Sequence, residues 1–218
     1  MAGNHLTLHT NDRVVVTTSR GNQEKWFDAE KNLWYKVDDG CFEALAEAVS
    51  SEILRNFTNV TRLPGITVAN YWVDTAEVHG LKRVVSVSEN FKREEESLVT
   101  ANTILKNSLG TGYLEVFNRR TSLKERIRLL ADAMEEATGM QDMGAYLTTL
   151  FEIDALFLNQ DRHLNNIALI RDRAGYKPCP IFDCGDSFLL DFALYSPEIE
   201  SRAYLTKAQC LPFKSRFT

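Results

Sequence analysis

An apolar stretch, residues 145–158, runs straight into the polar string Asn159-Gln160-Asp161-Arg162-His163, with Asn165-Asn166 close behind. Two β-prone runs follow, 167–170 and 177–182, on either side of the turn Arg173-Ala174-Gly175. Asp183-Cys184-Gly185 comes next. Few folds accept this order. A buried helix must end where a carboxylate, an amide and a cation crowd together. A hairpin must then fold a second carboxylate back toward the first. Such a D-x-x-x-x-N loop, hairpin and Asp-x-Gly carry the groups that phosphoryl transfer from ATP needs. One carboxylate orients an attacking hydroxyl and accepts its proton, and an amide oxygen and a second carboxylate offer Mg²⁺ hard ligands. Gly185 leaves backbone room beside Asp183. Asp161 and Asn166 alone would also suit an ordinary capping loop; the joint pattern with Asp183 and Gly185 is much rarer.

The first third reads as strand, strand, helix, strand, strand. Residues 13–19 are rich in β-branched types and precede Gly21, and 31–38 form a second strand ended by Asp39-Gly40. Residues 42–57 carry Phe42, Leu45, Val49, Ile53 and Leu54 at helical spacing, with Ala and Glu between, which predicts a helix. Strands are expected over 66–73 and 81–87, and helices over 94–109 and 122–138. In the latter, Leu123, Ile127, Leu130 and Met134 share a face. The expectation is an α+β chain of two lobes. Residues 1–90 form a small antiparallel-sheet lobe with one helix, 91–218 form a mostly helical lobe, and a hinge lies near 86–91.

Composition narrows the class further. The 218 residues carry 25 Lys+Arg against 30 Asp+Glu, a formal charge of −5, with 44% apolar residues. That is globular composition, and the mild acidity argues against sequence-independent nucleic-acid binding. No apolar run is long enough to span a bilayer, and residues 1–11 lack the layout of a secretion signal. Cys41, Cys179, Cys184 and Cys210 form no C-x-x-C pair and accompany no His cluster, so reduced thiols in a cytoplasmic protein are expected. There is no Walker motif and no G-x-G-x-x-G.

D-R-H-x-x-N followed by D-x-G is similar to the catalytic and metal-binding loops of phosphatidylinositol 3/4-kinases and of bacterial HipA-like serine/threonine kinases, both of the protein-kinase-like fold. Gly21-Asn22-Gln23-Glu24-Lys25 resembles the phosphate-loop signature of the HipA-like group. Trp34-Tyr35-Lys36-Val37 resembles the strand bearing its ATP lysine, and Ser88-Glu89-Asn90-Phe91 the lobe junction. The resemblance spans residues 13–190, with the motifs in order. It implies ATP and Mg²⁺ as cofactors. Asp161 would be the catalytic base or hydroxyl-orienting group, and Asn166 and Asp183 would bind the metal. Lys36 would contact the α/β-phosphates and pair with Glu47. Backbone amides of Arg20, Gly21, Asn22 and Gln23 would cover the phosphates. Adenine would lie against apolar side chains near the hinge. Thr18 and Ser19 sit where relatives carry an autophosphorylated hydroxyl, with an ordinary turn hydroxyl as the plain reading. Arg162 and His163 are expected to be structural in the catalytic loop. Lys36 could instead be a solvated edge residue. Glu43 and Glu52 compete with Glu47; positions 43 and 47 share a helix face, whereas 52 points elsewhere.

The resemblance also has limits. The chain ends at Thr218, where kinase-like C-lobes usually continue with more helices, and it lacks the extra N-terminal subdomain of the archetypal HipA toxin. Pro212-Phe213-Lys214-Ser215 resembles the region that precedes those helices. A natural short form, a truncated chain and one half of a split system all fit. In the last case an antitoxin or second subunit would complete the C-lobe. The expected function is an ATP/Mg²⁺-dependent kinase acting on serine or threonine of an unidentified protein substrate, without a membrane partner. A phosphoinositide-type lipid kinase and a non-catalytic ATP- or partner-binding pseudokinase module are the alternatives.

Overall fold

The computed structural model describes residues 6–8, 24–38, 40, 42–190, 195–196, 198, 200–204 and 208–214. Thr18, Ser19, Arg20, Gly21, Asn22, Gln23, Cys41 and the strand expected over 13–19 lie outside them.

The first lobe is built on a sheet of β1 (Leu6–Leu8), β2 (Lys25–Asp28), β3 (Leu33–Val37), β4 (Tyr71–Val78) and β5 (Leu81–Glu89), in the order β1-β4-β5-β3-β2. Four strands are antiparallel, and β1 adds a parallel edge beside β4. Each hairpin follows from local chemistry. His79 and Gly80 between β4 and β5 both have positive φ, 51° and 76°, the pair that a two-residue turn needs to match strand twist. Between β2 and β3, Asp28 Oδ1 accepts the N–H groups of Glu30 and Lys31, each at 3.0 Å. The strand expected over 66–73 begins only at Tyr71, because Ala69 and Thr67 turn their backbones to another partner.

The period-2 rule separates the faces of this sheet. Trp26, Tyr35, Val37, Ala76, Val78, Val85 and Val87 form a buried cluster on one side. Lys25, Lys36 and Ser86 stand in register on the other. Helix α1 (Glu43–Glu52) packs on that second side with Ala44, Ala46, Glu47, Ser50 and Ser51. The apolar stripe is therefore not the face that packs on the sheet. Phe42, Leu45 and Val49 are 42%, 45% and 36% exposed, and only Leu54 of that stripe is fully buried. Small residues let the helix approach the sheet closely, and ion pairing of Glu47 sets its rotation more strongly than the apolar stripe does.

The second lobe is helical around one short sheet. β6 (Ser97–Thr100), β7 (Ala168–Arg171) and β8 (Tyr176–Pro178) pair antiparallel in that order. The helix expected over 94–109 is corrected to β6 plus α2 (Ala101–Leu109), with the Thr100 hydroxyl accepting from Thr103 N–H at 3.2 Å as the cap. Helix α3 (Tyr113–Asn118) was not anticipated. α4 (Leu123–Thr138) packs between α2 and α5 (Met143–Phe157), and Leu130, Met134, Leu147, Leu150 and Phe151 are buried in the shared core. α4 starts with a capping box. The Ser122 hydroxyl takes Glu125 N–H at 3.2 Å, and Glu125 reaches back to Ser122 N–H at 3.5 Å. Ser122→Ala should cost about 1 kcal/mol in urea unfolding with an unchanged slope, because it orphans one helix N–H. An unchanged midpoint would contradict this.

A backbone ladder joins the lobes. Ala69 N–H donates to Ile181 O at 2.9 Å, and Ile181 N–H to Thr67 O at 2.8 Å. The chain that leaves α1 is thus tied to the strand that enters Asp183. Phe91, after β5, meets the Phe182 ring at 5.7 Å, beside buried Ala168, Ile170 and Cys179. Leu211 N–H and Phe213 N–H donate to the carbonyls of Asn159 and Arg162, each at 2.9 Å, so residues 211–213 lie along the loop that follows α5. No helix among the described residues is long and apolar enough to cross a membrane.

Candidate active site

Lys36 leaves β3 toward α1, and its Nζ sits among three carboxylates. Glu47 Oε1 is at 3.1 Å, Glu43 Oε2 at 3.4 Å and Asp183 Oδ1 at 3.4 Å. The one-turn spacing of positions 43 and 47 puts both acids on one cation. Glu52 is exposed on another face. The other Glu47 oxygen accepts from the Ser86 hydroxyl at 2.9 Å, so this buried carboxylate is satisfied on both sides. Lys25 stands directly opposite Lys36 across the β2–β3 pair.

Electrostatics follow from that crowding. Burial would strip Lys36 of its proton, but Glu47, Asp183 and Glu43 outweigh it and hold the ammonium well above the usual amine range. Burial likewise favours the neutral acid at Asp183, yet Lys36, Lys25 and Arg162 hold it down to about 2. It is an anion at neutral pH. Burial pushes Lys25 down, with Lys36 adding to the effect against the pull of Asp183, Glu47 and Glu43.

Asp183 has a left-handed φ of 58°, which a short polar side chain tolerates. Gly185 serves close approach rather than turn geometry. A Cβ there would lie 3.3 Å from both Glu43 Cβ and Glu47 Oε1, so a side chain would push α1 away. Gly185 thereby makes room for helix acids, a demand not visible in the Asp-x-Gly motif.

The loop after α5 arranges the other groups. Leu158 ends the helix with φ 58°. Asn166 Nδ2 donates to the Asp161 carbonyl at 3.1 Å, which leaves the amide oxygen Oδ1 turned to other work. Asn166 and Asp183 thus offer oxygen donors only, a set that suits Mg²⁺ when water and phosphate complete the shell. Among the described residues, no group of three or more His, Cys, Asp or Glu could hold a metal by itself. His163 Nε2 is 3.7 Å from Asp161 Oδ2, too far for a hydrogen bond, and its buried Nδ1 has no protein partner. The Arg162 side chain turns inward and is completely buried against Asp154, rather than facing the cleft.

The structure therefore brings Lys36, Glu47 and Asp183 together and joins Asn166 to Asp161. Sequence reasoning did not single out Ser86, Asp154 or Asn159. Asp154 could have been noticed: it is a lone acid inside an apolar helix, and a buried acid requires a partner.

No family model matches the chain, and no curated protein matches it. Solved structures do match. One is the proinflammatory kinase CtkA of Helicobacter pylori, similar at 20% sequence identity with a TM-score of 0.58. The match covers 87% of this chain and 60% of that kinase, so the chain spans less than two thirds of its length. The likeness is one of fold: a small sheet lobe with one helix beside a helical lobe, as in a kinase.

Proposed function

We propose that this chain is an ATP- and Mg²⁺-dependent kinase that transfers the γ-phosphate to serine or threonine of a protein, as the HipA-like kinases that its motifs resemble do. The observation that carries this reading is the convergence of Lys36 with Glu47 and Asp183 within 3.1 and 3.4 Å, from three separate elements. A buried lysine held charged by a helix acid and a metal-site acid fits a polyphosphate-binding cleft.

Each group has a role in this reading. Lys36 neutralises charge on the α/β-phosphates, and Glu47 keeps it aimed. Asp161 orients the attacking hydroxyl and takes its proton. Asn166 Oδ1 and the Asp183 carboxylate would hold Mg²⁺, whose positive charge would offset that of the phosphates. Arg162 and His163 shape the catalytic loop. The apolar cluster at Phe91, Ala168 and Phe182 receives adenine. The carboxylates leave the site anionic before the metal enters, so metal and nucleotide bind best together.

The test is incubation with ATP, Mg²⁺ and a cell lysate, with phosphopeptides read by mass spectrometry. New phosphoserine or phosphothreonine on the chain or in the lysate is expected. Asp161→Ala should reduce it by about 10²–10⁴-fold, the usual worth of a positioned base. Equal labelling by Asp161→Ala would overturn the reading, and labelled lipid without labelled protein would redirect it to a lipid substrate.

A further inference from the structure

Asp154, on α5, has no exposed surface and no access to the cleft. Its carboxylate collects three donors: Arg162 Nε at 2.9 Å, Arg162 Nη2 at 3.0 Å and Asn159 Nδ2 at 2.8 Å. Asn159, 1% exposed, also donates its backbone N–H to Asp154 O at 2.9 Å. Its side-chain oxygen accepts the N–H of Asp161 at 3.0 Å. One amide side chain therefore ties the buried carboxylate to the peptide of the candidate base.

Arg162 distributes the same anchor further. A guanidinium has five N–H donors in a fixed plane. Two go to Asp154. The second hydrogen of Nη2 faces Cys184 Sγ at 3.4 Å. The two of Nη1 go to the carbonyls of Asn166 at 3.1 Å and Phe182 at 2.7 Å. Those carbonyls belong to one candidate metal ligand and to the residue before the other. The Asn166 side chain in turn holds the Asp161 carbonyl. Two loops separated by a hairpin thus share one buried charge, and neither shifts without unseating a hydrogen bond to it.

We propose that Asp154 and Asn159 are positioning residues. From inside the fold they fix the relative placement of the groups that meet hydroxyl and metal: Asp161, Asn166 and Asp183. The proposal rests on the kinase reading for the identity of the reaction. The placement itself concerns metal binding and can be measured without turnover. A merely structural pair would lower the melting temperature and leave the folded protein's chemistry intact. A positioning role alters metal affinity and kcat in a protein that stays folded.

The decisive variant is Asn159→Ala, which releases the Asp161 N–H and leaves the Asp154–Arg162 pair in place. Expected are a kcat lower by about 10–100-fold with KM for ATP within about threefold, and Mn²⁺ affinity in the presence of ATP weakened by a similar factor. Asn166 depends on the Asp161 peptide, so the metal readout responds although Asn159 touches no ligand. Folded Asn159→Ala with parental kcat and parental Mn²⁺ affinity overturns the proposal. A parent that never phosphorylates, together with weakened Mn²⁺ affinity in the variant, retires the kinase reading and keeps this one. If Asn159→Ala does not fold, amide hydrogen exchange in the parent decides. The Asp161 N–H should exchange as slowly as the α5 amides, and fast exchange there overturns the proposal.

Discussion

Asp183→Asn should lower kcat by about 10³-fold or more while the chain stays folded and binds ATP within a few-fold of the parent. Asparagine keeps the shape and one oxygen but deletes the charge, and charge is what the local field preserves. Asp183 stays ionised because Lys36, Lys25 and Arg162 outweigh its burial. Lys36 still keeps Glu47 at 3.1 Å and Glu43 at 3.4 Å, so the ammonium remains paired and aimed. What disappears, in the proposed site, is an anionic oxygen for the metal. Losing one preorganised charge at a reacting centre commonly costs about 10²–10³-fold, and poorer metal occupancy adds to that. Steady-state kinetics against Mg²⁺ concentration, with ATP affinity measured separately, gives the answer. A kcat within tenfold of the parent would remove Asp183 from the metal site.

The largest stability effect should come from Arg162→Met. Both members of the Arg162–Asp154 pair are completely buried, and removal of the cation leaves an uncompensated charge inside the core, with the Asn159 amide still donating to it. Breaking such a pair from one side costs about 3–5 kcal/mol, far above the value of an exposed bridge. For a chain of this size the melting point would fall by roughly ten degrees. Adding Asp154→Leu should recover part of the loss, because the stranded charge is then gone. Urea unfolding of both variants measures this. A single-variant loss below about 1 kcal/mol would mean that water reaches the pair.

The segment from Asp161 to Gly185 stood out in the sequence because phosphoryl-transfer chemistry, as proposed above, would force particular residue types at particular spacings. Under that reading Asp161, Asn166 and Asp183 could not be exchanged freely among polar residues, whereas a core position accepts several apolar ones. The two long helices of the second lobe were legible for a different reason: α4 is periodic and opens on a capping box, and α5 is a long apolar run. The orientation of α1 was not legible. Hydrophobic periodicity marks the face with Phe42, Leu45 and Val49, while the fold buries the face with Ala46, Glu47 and Ser50. Periodicity counts apolar residues and cannot weigh an ion pair that closes only when the sheet is present. The same blindness merged β6 with α2. Thr100 is both the last strand residue and the helix cap, and only pairing with Ala168 reveals the strand. Asp154 and Asn159 precede the motif in sequence and lie beneath it in space, so their partners become visible only once the helix end and the hairpin are assembled.

The ladder between residues 67–69 and Ile181 has a mechanical meaning. It fastens the chain that leaves α1 to the strand that delivers Asp183, two residues upstream of the carboxylate. The acids supplied by helix and hairpin are thereby stitched along one margin of the cleft, like pages at a spine. The lobes are joined a second time where residues 90–96 run from β5 to β6, so the sheet lobe is held to the helical one at two places. A relative motion of the lobes would have to bend both ties, and the ladder is the one that keeps α1 and its acids beside Asp183.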